Sequence, residues 1–383
     1  MRVVIVGTHR THNMLASALS IIAFSAWIAQ AAEPPRIVDV ALGKPVVYAN
    51  SHGDVWQAAW ADDGELYSCS DDSEGFNKAC FSNFAYHKIS GDDPARLVGV
   101  TINPMKDYGK ACALGKDHCC WKADGNLALD GVLYLWISRH MYGAPGPDPH
   151  KRQLASNASL IKSTDHGKTW TRSAKENYEQ PMFPGRRFGA PFFILYGKDG
   201  KADVDGADKY AYAVSNDGFW DNGNDMILAR VSRAKIGDLH AADWEFYTQG
   251  DGLQDGAWSK KMGDARPIIR DQGKCSMTGA AYLPQLHRYL LIQWYYTAGS
   301  GVRGSTETVW DFYQSPAPWG PWSKFKSWTN KPSGYYNPCV VSKFSRAGDK
   351  ELTVFTAGDF NKNPKVYYHF TAIPCTLSLG ESP

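Results

Sequence analysis

The chain has 383 residues and a formal net charge of +2, with no long basic run, which argues against a nucleic-acid partner. Aromatic content is 13%, with 14 Trp and 20 Tyr beside 36 Gly and 21 Pro. That balance favours many short strands joined by turns and leaves little room for long helices.

Residues 1–31 read as a signal peptide. Arg2, His9, Arg10 and His12 precede an apolar run over residues 14–29, and Ala29-Gln30-Ala31 offers small residues for cleavage. The run is short and Ser-interrupted for a membrane span, so the expectation is a secreted protein with no membrane contact after cleavage. All eight cysteines follow this segment, and an even count in an exported chain favours disulfides, with Cys69–Cys80 the nearest local pairing. Cys119 and Cys120 are adjacent rather than spaced as a zinc pair, and the histidines show no HExxH spacing, so no metal and no cofactor is expected.

From residue 36 to residue 378 one pattern recurs: an apolar strand, a polar turn, then a second strand ending in polar residues. Its first instance is GDVWQAAWADDGELYSCSDD, residues 53–72, followed by GNLALDGVLYLWISRH at 125–140. FGAPFFILYG with DKYAYAVSND, SMTGAAYLPQLHRYLLIQWYY, and YYNPCVVSKFSRAGDKELTVFTAGD complete the series. A third strand follows each, as in FAYHKIS, ASLIKST and DMILARV, so the units recur roughly every 60–90 residues. The only helical candidates are short, such as residues 232–244. Five repeats of three to four antiparallel strands predict an all-β fold, a five-bladed β-propeller. The segment PRIVDVAL is expected to complete the last blade and close the ring. Ser163-Thr164-Asp165-His166-Gly167-Lys168-Thr169-Trp170 fits the Asp-box pattern S-x-D-x-G-x-T-W, a turn-fixing device rather than a catalytic one.

In such a blade the start of the first strand and the end of the second lie on one face. Residues far apart in sequence then gather round one depression: Asp54, Asp71 and Asp72 from the first unit, and Arg139 and His140 from the second. Arg187, Asp217, Asp221 and Asp225 come from the third, Glu307 from the fourth, and Tyr335, Tyr336 and Asp359 from the fifth. The turn at Asp62-Asp63-Gly64 is expected on the far face. Carboxylates beside Arg, His and Tyr suit glycoside hydrolysis, which needs one protonated and one ionised carboxyl across the scissile bond. Crowded like charges raise one pKa and so keep an acid protonated. Asp54, Asp72 and Asp225 are the expected catalytic set. Arg139, His140, Arg187, Asp217, Glu307, Tyr335 and Asp359 are the expected substrate-binding residues.

GDVWQAAWADDGELYS, KISGDDP, STDHGKTW, FGAPFFILYGKD, DMILARV, AAYLPQLHRYLL and APWGPW, in this order over residues 46–371, resemble a bacterial and fungal propeller family. That family was long carried as a domain of unknown function and includes the bacterial endo-D-arabinanases. The resemblance implies a five-bladed propeller and an exported enzyme that cleaves glycans through acids in its central depression. Asp54, Asp72 and Asp225 match the positions where such acids are expected. The expected partner is a polysaccharide or oligosaccharide, and the expected state a monomer. A polysaccharide lyase on the same scaffold, with His140 or Tyr335 as base and Arg187 on a uronate, is an alternative reading. A non-catalytic carbohydrate-binding propeller is another.

Overall fold

The computed structural model describes residues 35–142, 153–202, 209–249, 257–297, 307–331, 334–345, 350–357 and 368–380, together with residues 1, 2, 4 and 7. The chain divides into a short leading unit, Met1–Glu33, and a main unit, Pro34–Pro383. The cleavage-site residues and Asp359 lie outside the described residues, and everything below concerns the main unit.

The main unit is built from strands. Its first is β1, Arg36–Leu42, followed by the two-residue β2, Val46–Val47. Then comes an antiparallel group of β3 (Ser51–Asp54), β4 (Ala58–Trp60), β5 (Leu66–Phe76), β6 (Ser82–Ser90) and β7 (Val98–Asn103). Both β3 and β4 pair with β5, and β5 passes to β6 and β6 to β7. A second group holds β8 (Cys120–Leu129), β9 (Val132–Met141) and β10 (Leu154–Ser163). Asp130 and Gly131 join β8 to β9 with φ of 53° and 76°. Positive φ at both central residues is the geometry of a two-residue hairpin turn, which explains the Asp-Gly pair.

The third group runs β11 (Phe192–Leu195), β12 (Tyr210–Asn216), β13 (Gly223–Ser232) and β14 (Trp244–Tyr247), with the short β15 (Trp258–Ser259) beyond. The end of β13 pairs with β14 and its start with β16 (Pro267–Cys275). The fourth is β17 (Ala280–Leu283), β18 (Arg288–Tyr296), β19 (Thr308–Ser315) and β20 (Ser323–Asn330). The fifth is β21 (Cys339–Val341), β22 (Glu351–Ala357) and β23 (Phe370–Gly380). As expected for PRIVDVAL, β1 adds to β23 and so joins the two ends of the chain in one sheet. That pairing covers a strand edge that would otherwise be open. The third and fourth groups also meet through a parallel pair, β11 with β17.

Burial separates inner from outer strands. Every residue of β8 is buried, whereas β20 alternates between half-buried and exposed. Large aromatics fill the space between groups: Trp136 of β9 packs on Phe188, Phe193 and Trp244 with ring centroids 5.1–5.9 Å apart. Rings of this size supply most of the apolar burial per residue.

Three sequence expectations change. The region 232–244 contains two single 3-10 turns, Ile236–Asp238 and Ala241–Asp243, rather than a helix. A six-residue helix instead occupies Ala174–Glu179, started by a capping box in which Ser173 and Glu176 satisfy each other's backbone N–H. All eight cysteines are free thiols, so the expected Cys69–Cys80 bridge is corrected. Cys69 sits seven residues before the end of β5 and Cys80 lies past it. The chain turns back there, and Cys80 Sγ lies 3.4 Å from the Ser73 carbonyl, four residues on from Cys69 along β5; about 13 Å of extended strand still separates the two thiols, beyond the reach of a disulfide.

The turn at 163–170 is fixed by its own side chains. The Ser163 hydroxyl accepts from Gly167 N–H at 2.8 Å, and Asp165 accepts from the Thr169 N–H at 2.9 Å and its hydroxyl at 2.6 Å. Trp170 then packs edge-on against Tyr86 at 4.8 Å. His166 from this turn bonds Asp62 at 2.8 Å, so the two turns are neighbours.

Candidate functional site

Asp54 closes β3 and stands directly opposite Asp71 of β5. The strands come close there: a Cβ on Gly53 would lie 2.6 Å from the Ser70 hydroxyl, so only glycine fits. Consecutive strand residues normally point to opposite faces. Asp72 escapes that rule through a left-handed φ of 41°. Asp71 and Asp72 therefore both reach the neighbouring β8: Asp71 Oδ1 accepts from the Ala123 N–H at 2.9 Å, and Asp72 Oδ2 meets Lys122 Nζ at 2.7 Å.

Around these acids the contacts close a ring. The Tyr142 hydroxyl donates to Asp72 at 3.2 Å, and its ring lies 4.8 Å from His140. His140 lies 6.3 Å from Trp220, Trp220 lies 5.1 Å from Tyr336, and the Tyr336 hydroxyl donates to Asp54 Oδ2 at 2.7 Å. Four strand groups thus contribute to one site. The loop bearing Trp220 is pinned: Met277 N–H donates to the Trp220 carbonyl, and Asn222 Nδ2 donates to the Tyr296 carbonyl at 2.8 Å. Asp221, between those two residues, is buried.

Electrostatics divide the carboxyls. Burial pushes the Asp71 carboxyl well above its ordinary range, with Asp54 and Asp72 adding to the effect and Lys122 opposing it. Burial would raise Asp72 too, but the charge and hydrogen bond of Lys122 outweigh it and hold that carboxyl below its usual range. Lys122 is 3% exposed. Burial works against its charge, yet Asp72 and Asp71 keep it protonated. Burial, and then the charge of Lys122, push His140 down to about 3, so its imidazole is neutral. Its Nε2 faces Gln153 Oε1 at 2.8 Å, while Nδ1 is buried without a hydrogen bond. The site therefore sets an acid pushed up by burial, an acid held down by Lys122 and a neutral imidazole within one set of contacts.

The remaining sequence candidates fall elsewhere. Arg139 precedes His140 on β9 and so points to the opposite face. There it pairs with Asp117 at 2.7 Å and lies over the rings of Trp121 and Tyr178. Asp225 is on β13, two strands out from β11, and pairs with Arg187 at 3.3 Å; burial raises its carboxyl against the pull of that arginine. Asp217 accepts from the Asn224 side chain at 2.7 Å. Glu307 pairs with Lys331, and the Tyr335 carbonyl accepts from Trp310 Nε1 at 2.6 Å. Of the expected catalytic set, the structure brings Asp54 and Asp72 together and places Asp225 with Arg187.

Lys122, Asp124 and Tyr142 were not anticipated. The signal for the first two was present in CWKADGNLAL: an inner strand that is buried throughout carries Lys, Asp and Asn at alternate positions. Burying such groups is costly unless they are paired, and strands seldom carry them without use. Asp124 accepts from the Ser138 hydroxyl at 3.2 Å with Oδ2 buried and unpartnered, and burial raises its carboxyl strongly. Among the described residues, the groups with cation-ligand spacing are Asp62, Asp63 and His166, and Asp238, His240 and Asp243, both on solvent-facing turns.

Comparison with protein-family models and with curated proteins gives no match. Solved structures do match. One from Bacteroides ovatus ATCC 8483, whose assignment as a hydrolase is provisional, is 14% identical over 84% of this chain and 85% of its own, with a TM-score of 0.51. An α-L-arabinanase mutant from Cellvibrio cellulosa is 12% identical over 84% and 91%, with a TM-score of 0.49. A xylan β-1,4-xylosidase from Bacillus halodurans is 14% identical over 87% of this chain and 54% of its own, with a TM-score of 0.48. At such identities the likeness concerns fold alone. The chain shares its fold with the Bacteroides ovatus structure.

Proposed function

We propose that the chain is an exported glycoside hydrolase of the endo-arabinanase kind, built on a five-bladed β-propeller. The strands form four hydrogen-bonded sheets, the largest joining the third and fourth groups through β11 and β17; counting those two groups as separate blades, with the N-terminal strand added to the last, favours five. One observation carries the activity: the buried Asp54, Asp71 and Lys122 with the half-buried Asp72, ringed by Tyr142, His140, Trp220 and Tyr336. Such a site supplies what acetal hydrolysis needs, a fixed anion, a proton donor and aromatic surface for a sugar ring.

In this reading Asp54, held by the Tyr336 hydroxyl, is the general base on water. Asp72, kept ionised by Lys122, stabilises the positive charge that develops at the anomeric carbon. Its lowered pKa makes it a poor donor. Asp71 stays protonated and limits the repulsion between its two neighbours. The donor is Asp221, because the loop that carries it also carries Trp220 of the same ring, whereas Asp225 holds Arg187.

The test is product analysis on D-arabinan, L-arabinan, arabinogalactan and uronate-containing glycans, following reducing ends together with ultraviolet absorbance of unsaturated products. New reducing ends without absorbance, lost about 10²-fold or more in Asp54→Asn and Asp221→Asn but not in Asp225→Asn, support the assignment. Absorbance rising with the reducing ends, and surviving Asp54→Asn, overturns it. That result selects a lyase, a reading favoured by the unengaged Nδ1 of His140. Secretion is checked by N-terminal sequencing of the exported protein, with a mature start expected directly after residue 31.

A further inference from the structure

A second recess lies away from the carboxylates, between the third and fourth strand groups. Its volume is about 530 Å³, and Thr248, Gln249, Arg266, Arg270, Tyr313 and Trp322 line it with the short run Pro267–Ile269. Both arginines are exposed, and neither forms an ion pair or a side-chain hydrogen bond among the described residues.

Their acidic neighbours are already engaged. Asp271, next to Arg270, accepts from the Tyr313 hydroxyl at 3.1 Å and pairs with Lys274 at 3.1 Å. Asp225 stands opposite Arg270 across β13 and β16 but is paired with Arg187. Guanidinium groups elsewhere in the chain find carboxylates, as Arg139 does with Asp117, Arg230 with Glu245 and Arg233 with Asp130. Arg270 acts on Asp225 only through its charge, so Arg266 and Arg270 are two cations outside any ion pair among the described residues, and both line one groove.

Their spacing narrows the ligand. The ladder between β13 and β16 shifts register between Pro267 and Ile269, yet Arg266 and Arg270 both line the groove, their backbones about 13 Å apart at most along the chain. Two guanidiniums so placed along one groove can each hold one of the anionic groups repeated along a chain. The partly exposed Trp322 ring adds a flat apolar surface between polar walls, the combination on which sugar rings stack.

We infer that this groove is a second binding site for an acidic glycan, with Arg266 and Arg270 each holding a uronate carboxylate and Trp322 supporting a sugar ring between them. The inference rests on the reading of the chain as glycan-active, but it does not require the carboxylate site to act on the same segment of polymer.

Calorimetric titration of the whole chain tests it, with a short oligogalacturonate, the carboxyl-reduced oligomer of the same length, and a short oligodeoxynucleotide as probes. The expected result is oligogalacturonate binding that weakens with salt, is unchanged in Asp54→Asn, and falls at least about tenfold in Arg266→Gln/Arg270→Gln. The carboxyl-reduced oligomer should bind at least about tenfold more weakly to the unsubstituted protein. Unchanged affinity in the double variant, equal binding of the reduced oligomer, tighter binding of the oligonucleotide, or no binding at all overturns the site. Loss in Asp54→Asn alone moves the glycan to the carboxylates and overturns it as well. Both arginines are exposed, so the thermal midpoint of the double variant should match the parent and exclude a folding defect. Retained oligogalacturonate binding, beside no release of reducing ends from any glycan of the panel above, would sink the enzyme reading and leave this one standing.

Discussion

Replacing Lys122 with Met removes the one cation among Asp54, Asp71 and Asp72 while roughly keeping side-chain volume. Lys122 is 3% exposed and the Asp72 side chain 17%, so water cannot take over its role. Removing one partner of a buried pair costs about 3–5 kcal/mol, because the other charge is left uncompensated. Unfolding entropy of about 2 cal/mol/K per residue over the roughly 350 residues of the main unit makes this a fall of about 4–7 °C in thermal midpoint. The loss must depend on pH. With its folded pKa lowered, Asp72 contributes stability above its unfolded value of about 3.9 and loses it as pH falls through the folded value. Without Lys122 that contribution disappears and the burial penalty remains. The gap between parent and variant should therefore be largest near pH 7 and shrink at a pH well below about 4, where the lowered carboxyl of Asp72 is itself protonated. Calorimetric or fluorescence melts at both pH values measure it, and Lys122→Met/Asp72→Asn should recover most of the loss. An equal gap at both pH values, or no gap at neutral pH, would refute the ion-pair account.

Asp71→Asn should stabilise the protein at neutral and alkaline pH. The folded pKa of Asp71 is raised, so the parent loses stability as pH rises from about 3.9 through that raised value, and an amide cannot ionise; melts across pH that run parallel in both proteins would contradict this. The denatured chain should titrate as eight thiols without reductant, and reductant should leave the thermal midpoint unchanged. Under native conditions Cys112, the exposed cysteine, should be the first modified; fewer thiols in the denatured count would restore a disulfide.

Much of the architecture was legible because strand chemistry is local. Asp130-Gly131 demanded a tight hairpin turn, and the alternation in PRIVDVAL marked a strand that paired with β23. The helix at Ala174–Glu179 was equally local, announced by Ser173 and Glu176, but its six residues are too few to leave a hydrophobic period. Cysteine pairing was not legible. Whether two thiols meet depends on where strands end, and an even count says nothing of that.

The site was legible only where two residues shared a hairpin. Asp54 and Asp72 lie at the two ends of one strand pair, so placing the turn at Asp62-Asp63-Gly64 already set them side by side. Arg139 and Asp225 needed information that runs across strands. For Arg139 it was parity, since His140 and Arg139 cannot both face the acids from one regular strand, and pairing with Asp117 decided which turned inward. For Asp225 it was depth within the sheet, because the start of a third strand is displaced outward from the first. Lys122 was overlooked because the repeat, aligned on apolar residues, began its second unit at Gly125 and left the polar half of β8 outside. The inner strand of each unit is where such an error matters most. It is covered on both faces, so any charge on it must be neutralised by another residue, and the buried Lys122 had to meet an acid such as Asp72.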